Sequence, residues 1–287
     1  MLEEFGEELA LWSAQEVACV TDASHKSLWS AFGVSSDLSK LVRGDLFISA
    51  RGDVEAHKAL SLGAAAVISE TYTHPSLSLK VKNTLQAFID LAQGARHRTN
   101  AVFIGVCGSD AEIIVTQSEL AAQLSFYGLT YAPLIEDMSL KNIMLGLSNM
   151  PKEAEFVILP LPFEEASWLI KPDIVLMRDG YDEAISGDVF AGMTSKSVMI
   201  CGNRQKNKEI YQAMAKTRGV TKQYDYFSRD GLNSACSMAL VQALSAAQQL
   251  PPCPFLEEPI MAEEDHVSYI LDLRPQRAAN DMPKRFG

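Results

Sequence analysis

The residues of this chain best suited to chemistry lie in GVCGSDAEIIVT, from Gly105 to Thr116. Gly105 and Gly108 come at the end of an apolar, buried-type strand, Ala101 to Val106 (AVFIGV). A periodic apolar pattern through Ile113, Ile114, Leu120 and Leu124 then predicts a helix ending near Gly128. Strand, glycine turn and helix form the outline of a phosphate-binding loop. Such a loop works because glycines let backbone N–H groups converge on phosphate oxygens, a lysine neutralises them, and the next hydroxyl holds Mg²⁺. Where Gly-Lys-Thr should stand, this chain has Ala111, Glu112 and Ile113, so the close-approach glycine, the cation and the metal hydroxyl are all missing. An ordinary strand-to-helix turn that never met a phosphate would read the same way.

The glutamate matters most. At about 4 Å and an effective dielectric near 20, a unit charge pair is worth roughly 4 kcal/mol, and changing attraction to repulsion costs up to about twice that. Ser109 followed three residues later by Glu112 also matches a capping box, in which the glutamate reaches back to the N-cap amide. The expectation is a helix that fills its own anion site with a carboxylate, and a protein that has lost ATP and Mg²⁺ and has no catalytic residue.

Other constellations are weaker. GVCGSD lacks the third glycine of a dinucleotide-binding turn, and no nucleophile-elbow G-x-S-x-G occurs. Asp179, Asp182, Glu183 and Asp188 do not follow Ca²⁺-loop spacing and read as a solvated acidic loop. The five histidines are scattered, and the five cysteines (Cys19, Cys107, Cys201, Cys236, Cys253) include no CxxC pair. No metal site is expected. The cysteines read as reduced, buried thiols, and the absence of a basic leader or a membrane-length apolar run points to a cytoplasmic protein.

The elements that must hold these residues follow from periodicity. A helix is expected over Phe5–Val17, short strands around Asp45–Ser49 and Ala65–Ser69, and a helix over Thr84–Ala95. Gly94–Asn100 (GARHRTN) reads as a polar, helix-poor linker. Strands and helices then alternate. After AVFIGV and its helix come a loop through Met150, FVILPL, a helix over Phe163–Ile170, DIVLM, SVMICG, and helices over Lys206–Thr217 and Leu232–Gln249. Such alternation means a parallel α/β sheet covered on both faces. The 287 residues, 47 % of them hydrophobic, suffice for two domains, expected over 1–98 and 99–250, with 251–287 as a tail. A net charge of −11 argues against nucleic acid or an anionic membrane as partner.

With the loop outline placed behind an amino-terminal α/β domain, the chain resembles the Mur ligase family. The likeness is greatest to the branch that joins D-alanyl-D-alanine to a UDP-N-acetylmuramoyl-tripeptide. LALWSAQEVACVT resembles the family's opening helix, and GVSSDLSKLVRGDLFISARGD resembles its amino-terminal signature, with Gly33, Ser35, Asp37, Gly44, Asp45, Leu46, Phe47 and Gly52 in register. The resemblance implies a UDP-sugar-binding amino-terminal domain, an ATP-binding middle domain and a third domain for the incoming amine, of which the last has no counterpart here. It makes Ser35, Ser36, Asp37 and His57 the candidates for a nucleotide-sugar site. The family's arginine falls at Ser39, and Asp37, Gly44 and Asp45 also suit turn-capping roles that need no ligand. In the middle domain the family's metal-binding glutamate falls at Pro160. KPDIVLMRDGYDE puts Arg178 at its asparagine and Glu183 at its histidine.

The resulting expectation is a non-catalytic protein that binds a nucleotide-sugar or peptidoglycan precursor, a protein partner, or further copies of itself. The alternative is an ATP-dependent amide-forming ligase whose ATP site is remodelled or completed in trans.

Overall fold

The computed structural model describes residues 10–23, 27–72, 74–135, 137–178, 188–205, 207–226 and 231–247. The amino-terminal part begins with a short antiparallel pair, β1 (Trp12–Ser13) and β2 (Ser30–Ala31), flanking helix α1 (Ala14–Thr21). The expected Phe5–Val17 helix is therefore corrected within the described residues: Trp12 and Ser13 are strand, and the helix starts at Ala14 with Ser13 as its N-cap. Ser13 accepts from the Glu16 amide and Glu16 returns to the Ser13 amide, a complete capping box.

A four-stranded parallel sheet follows in the order β3 (Gly33–Ser35), β4 (Asp45–Ile48), β5 (Ala66–Ser69), β6 (Ser78–Lys80). Helix α2 (Asp53–Ser61) lies between β4 and β5, and α3 (Thr84–His97) leaves β6. Gly44 takes φ +92° in the turn before β4, a conformation that favours glycine. Helix α3 runs past the expected end at Ala95 through most of the supposed linker. Composition misleads there because the arginines bury their stems. Arg96 lies 3.8 Å over the Phe103 ring and Arg98 4.0 Å over that of Trp12.

The second sheet has six parallel strands in the order β12-β11-β10-β7-β9-β8. These are β7 (Val102–Cys107), β8 (Thr130–Tyr131), β9 (Phe156–Pro160), β10 (Ile174–Met177), β11 (Val198–Gly202) and β12 (Lys222–Tyr226). On one face lie α4 (Asp110–Leu124) and α8 (Gly231–Ala246), packed with Ile104, Val106, Ile158 and Ile200. On the other lie α5 (Leu140–Ser148), α6 (Glu164–Ile170) and α7 (Lys208–Thr217). Helix α5 replaces part of the expected loop through Met150, and the period of Leu140, Ile143, Met144 and Leu147 explains it.

A single buried cluster runs from Trp12 and Leu46 through Leu91 and Phe103 to Val220, so the two sheets share a continuous core by way of α1, α3 and α5. Polar groups fix the junction. Asn149 accepts from the Val34 amide (2.8 Å) and donates to the Val34 carbonyl (2.9 Å), imitating a strand partner at the edge of β3. Trp12 Nε1 donates to the Ser148 carbonyl at 2.8 Å, and Lys152 pairs with Glu16 at 2.8 Å.

Candidate functional site

In an open parallel sheet, ligands bind beyond the carboxyl ends of the strands, where the order of connection reverses. In the six-stranded sheet that point is β7, with β9 and β8 on one side and β10 to β12 on the other. Gly108 and Ser109 leave β7 there and start α4. Ser109 is extended at the N-cap, and both its amide (3.0 Å) and its hydroxyl (2.8 Å) donate to Oε2 of Glu112. With Asp110 also in the first turn, the helix terminus is met by carboxylates of its own chain.

The neighbouring residues divide between turn and core. Gly105 lies inside β7, where a Cβ would come within 2.8 Å of Leu161, so its bareness serves strand packing. Gly108 is the close-approach residue. A Cβ there would lie 3.2 Å from Cβ of Arg178 and 3.3 Å from Cβ of Glu112. Ala111 is exposed on α4, whereas Ile113, at the hydroxyl position, is buried among Val106, Leu120 and their neighbours.

Pro160 ends β9 opposite Val106 and is buried, with no side-chain ligand to offer a metal. Glu183, with Asp179 and Asp182, lies outside the described residues. Asp188 is tied to Arg218 at 2.7 Å. Among the described residues no three His, Cys, Asp or Glu side chains gather at metal-binding spacing.

Arg178 is the residue whose placement the sequence did not reveal. At the end of β10 its amide donates to the Cys107 carbonyl (2.9 Å), its carbonyl accepts from Gln205 (3.1 Å), and its stem closes on Gly108. Only the register of β7 against β10 brings it there. The nearby thiols are poor nucleophiles. Burial, helped by Cys201, pushes the Cys107 thiol far above its ordinary range, and burial with Glu119 raises that of Cys236 to about 12.

The four-stranded sheet presents its own carboxyl edge. Ser35 ends β3 and Ser36 and Asp37 follow it, Gly52 and the start of α2 follow β4, and Thr71 follows β5. Asp37 Oδ1 accepts from the amide (2.9 Å) and hydroxyl (2.8 Å) of Ser39, bonds that hold its carboxyl below the usual range. Ser35 is buried and its hydroxyl donates to the Asp37 carbonyl at 3.1 Å. The Ser36 hydroxyl is buried without a hydrogen-bond partner, and its carbonyl accepts from Lys141. Asp45 accepts from the Val42 amide at 3.0 Å, a turn-capping contact.

His57 stands on α2 with its ring edge-on to Tyr72, their centroids 6.4 Å apart, in an open groove of about 710 Å³ also lined by Asp53, Lys58 and Thr71 and by none of Ser35, Ser36 or Asp37. Thr71 donates to Asp53 at 2.6 Å. Neither Thr71 nor Tyr72 carries a sequence signal; the order of β4 and β5 brings them to α2.

Known proteins agree with this architecture. No protein-family model matches the sequence. The chain is 35 % identical over 104 residues to the UDP-N-acetylmuramoyl-tripeptide–D-alanyl-D-alanine ligase of Synechocystis sp., a match spanning 33 % of this chain and 23 % of that protein. Among solved structures it is similar to the UDP-N-acetylmuramoylalanyl-D-glutamyl-2,6-diaminopimelate–D-alanyl-D-alanyl ligase of Acinetobacter baumannii, with TM-score 0.66 and 14 % identity over 84 % of this chain and 69 % of the other. MurF of the same organism gives TM-score 0.63 at 13 % identity, over 85 % of this chain and 69 % of the other. MurF of Thermotoga maritima, solved with ADP, gives 0.51 at 15 % identity, over 68 % and 49 %. The fold is that of the MurF ligases, in agreement with the resemblance read from the amino-terminal motif.

Proposed function

We propose that this chain is a MurF-like binding protein that does not carry out ATP-dependent ligation. In this reading an amino-terminal domain, 1–98, takes a nucleotide-sugar or peptidoglycan precursor in the cytoplasm. A middle domain, 99–250, keeps the sheet of an ATPase without its chemistry and serves contacts with a protein partner; residues 251–287, expected from sequence as a tail, lie outside the described residues. A fold outlives its reaction because core packing and site residues are separate requirements.

One observation carries the reading. The Glu112 carboxylate accepts from the Ser109 amide at the strand-to-helix turn, the kind of donor a phosphate would need. The Ile113 side chain is committed to the core and has no hydroxyl for Mg²⁺. Arg178 against Gly108 favours a second reading, a ligase with a remodelled ATP site in which that residue supplies the missing charge.

Thermal-shift measurements with UDP, UDP-sugars and MgATP separate the two. A ligand at about 100 times its Kd adds roughly 2.7 kcal/mol, which for a chain of this size raises Tm by about 4–5 °C. UDP-sugars are expected to do so and MgATP is not. A shift with MgATP, lost on changing Gly108 or Arg178, would establish the second reading instead.

A further inference from the structure

Lys141, in the first turn of α5, reaches out of the helical layer of the six-stranded sheet to the loop after β3, where its ammonium donates to the Ser36 carbonyl at 3.4 Å. The far end of the helix holds that reach in place. Asn149, directly after α5, is bonded to both the amide and the carbonyl of Val34, so the helix is moored along β3 and its first turn stands beside Ser36 and Asp37. Lys141 and Lys40 both act on the Asp37 carboxylate, which Ser39 already binds through its amide and hydroxyl.

An ammonium has three donors to place. That of Lys141 makes one contact, to a carbonyl and longer than the usual hydrogen-bond range, and among the described residues it joins no ion pair. Nor does a carboxylate of its own turn claim it. The first turn of α5 holds no acidic residue, and exposed Asp137, before the N-cap Ser139, gives its carbonyl to Asn142. The Ser36 hydroxyl alongside is buried without a partner, and a phosphate oxygen is an acceptor of the kind it lacks.

We propose that Lys141 is the residue that binds the diphosphate of a nucleotide-sugar seated on the Ser35–Asp37 loop. The assignment rests on the nucleotide-sugar reading above and names the group that recognises its charge. A diphosphate is the charged part of such a ligand and calls for a cation with donors to offer. The arginine that the family resemblance leads one to expect in this loop is Ser39 here, so that position offers no cation. The charge comes instead from α5, on the other side of the junction between the two sheets. The ligand is then held by both sheets at once.

Hydrogen bonds to charged groups are worth about 10–100-fold in affinity, and an exposed ammonium falls at the lower end. Calorimetric titration of the full chain with UDP-N-acetylglucosamine, at about 50 and about 300 mM salt, tests the assignment. Lys141→Ala should weaken binding about tenfold at low salt and remove part of the salt dependence that a cation–diphosphate contact confers, with melting temperature unchanged. Lys141→Arg should stay within about threefold of wild type. Lys216→Ala, at an exposed position on α7, should change neither affinity nor salt dependence. Wild-type binding that Lys141→Ala leaves intact, with the same salt dependence, would overturn the role of Lys141 while sparing the nucleotide-sugar reading. An equal loss in Lys216→Ala would overturn it too, as an effect of net charge alone. No binding by the wild-type chain would overturn that reading and this assignment together.

Discussion

Arg98→Ala should uncouple the two sheets, and the structure sets the size of the effect. The guanidinium donates to the carbonyls of Leu11 (2.7 Å) and Met150 (2.9 Å) and lies 4.0 Å over Trp12, whose own indole reaches Ser148. Burial lowers its pKa to about 10 despite Glu16 and Glu153 nearby, a sign that the charge is held largely out of water. Hydrogen bonds to a charged group are each worth about 1.5–3 kcal/mol net, and the ring contact adds up to about 2 when desolvated. Against these stands the desolvation of the group, whose Nε has no partner. The balance is a loss of roughly 3–5 kcal/mol on truncation, because two carbonyls are stranded as well. Arg98→Lys, which keeps the charge but not the fork, should cost about half as much. Urea denaturation followed by far-UV circular dichroism reads both. A loss below about 1 kcal/mol for Arg98→Ala would refute the reasoning, as would a wild-type chain that unfolds in two well-separated steps.

Glu112→Lys should turn the α4 terminus from a self-satisfied end into an anion site. At this solvent-facing position the Coulomb gain falls to roughly 1–2 kcal/mol, so calorimetry should show pyrophosphate binding tightened about tenfold, with about 1 kcal/mol of helix stability lost along with the cap. Unchanged pyrophosphate affinity would show that this turn is no longer an anion site of any kind. Acid stability gives a third check. Burial alone would raise the pKa of Glu16, but hydrogen bonds from Lys152 and Ser13 outweigh it and hold the group below its ordinary 4.5. A folded pKa depressed in this way gives stability that is present above pH 4.5 and lost as pH falls through the folded value. Glu16→Gln should therefore flatten the acid limb of a stability-versus-pH curve, by less than about 1 kcal/mol because the pair is partly exposed. An identical limb in wild type and variant would count against the depressed pKa.

The buried strands were legible in sequence because a central parallel strand is apolar throughout: AVFIGV, FVILPL, DIVLM and SVMICG all fall on strands of the six-stranded sheet. Strand β12, KQYDY, was not legible. It is the edge strand, most of its side chains face water, and its pairing with β11 is a backbone matter that side chains do not advertise. The segment around Arg96 and Arg98 misled for a related reason, since polarity by residue type hides where the apolar stem of an arginine goes. At the site, Ser109 and Glu112 were readable because their contact is local, three residues apart. The approach of Arg178 to Gly108 and of Tyr72 to His57 depends on strand register and order, which local pattern does not encode.

Under the proposed function, the capping contact also bears on how such a scaffold would lose its reaction. The first amides of a helix need acceptors, and a phosphate loop leaves them for a ligand to satisfy. Once Glu112 accepts from Ser109, the same donor stabilises α4 whether or not any nucleotide is present, by an amount on the order of 1 kcal/mol. On the proposed reading, gain in helix stability and loss of phosphate affinity would be one event, because a single set of amides serves both. Reversal is harder, since an isolated lysine at that position forfeits the cap and still finds Ile113, without a hydroxyl, packed in the core. If ATP is not bound, as proposed, gaining its binding should require Glu112→Lys and Ile113→Thr together, and the second change places a hydroxyl among Val106 and Leu120 at a further cost of about 1–3 kcal/mol. A Glu112→Lys, Ile113→Thr double variant that bound MgATP tightly with wild-type stability would contradict this coupling.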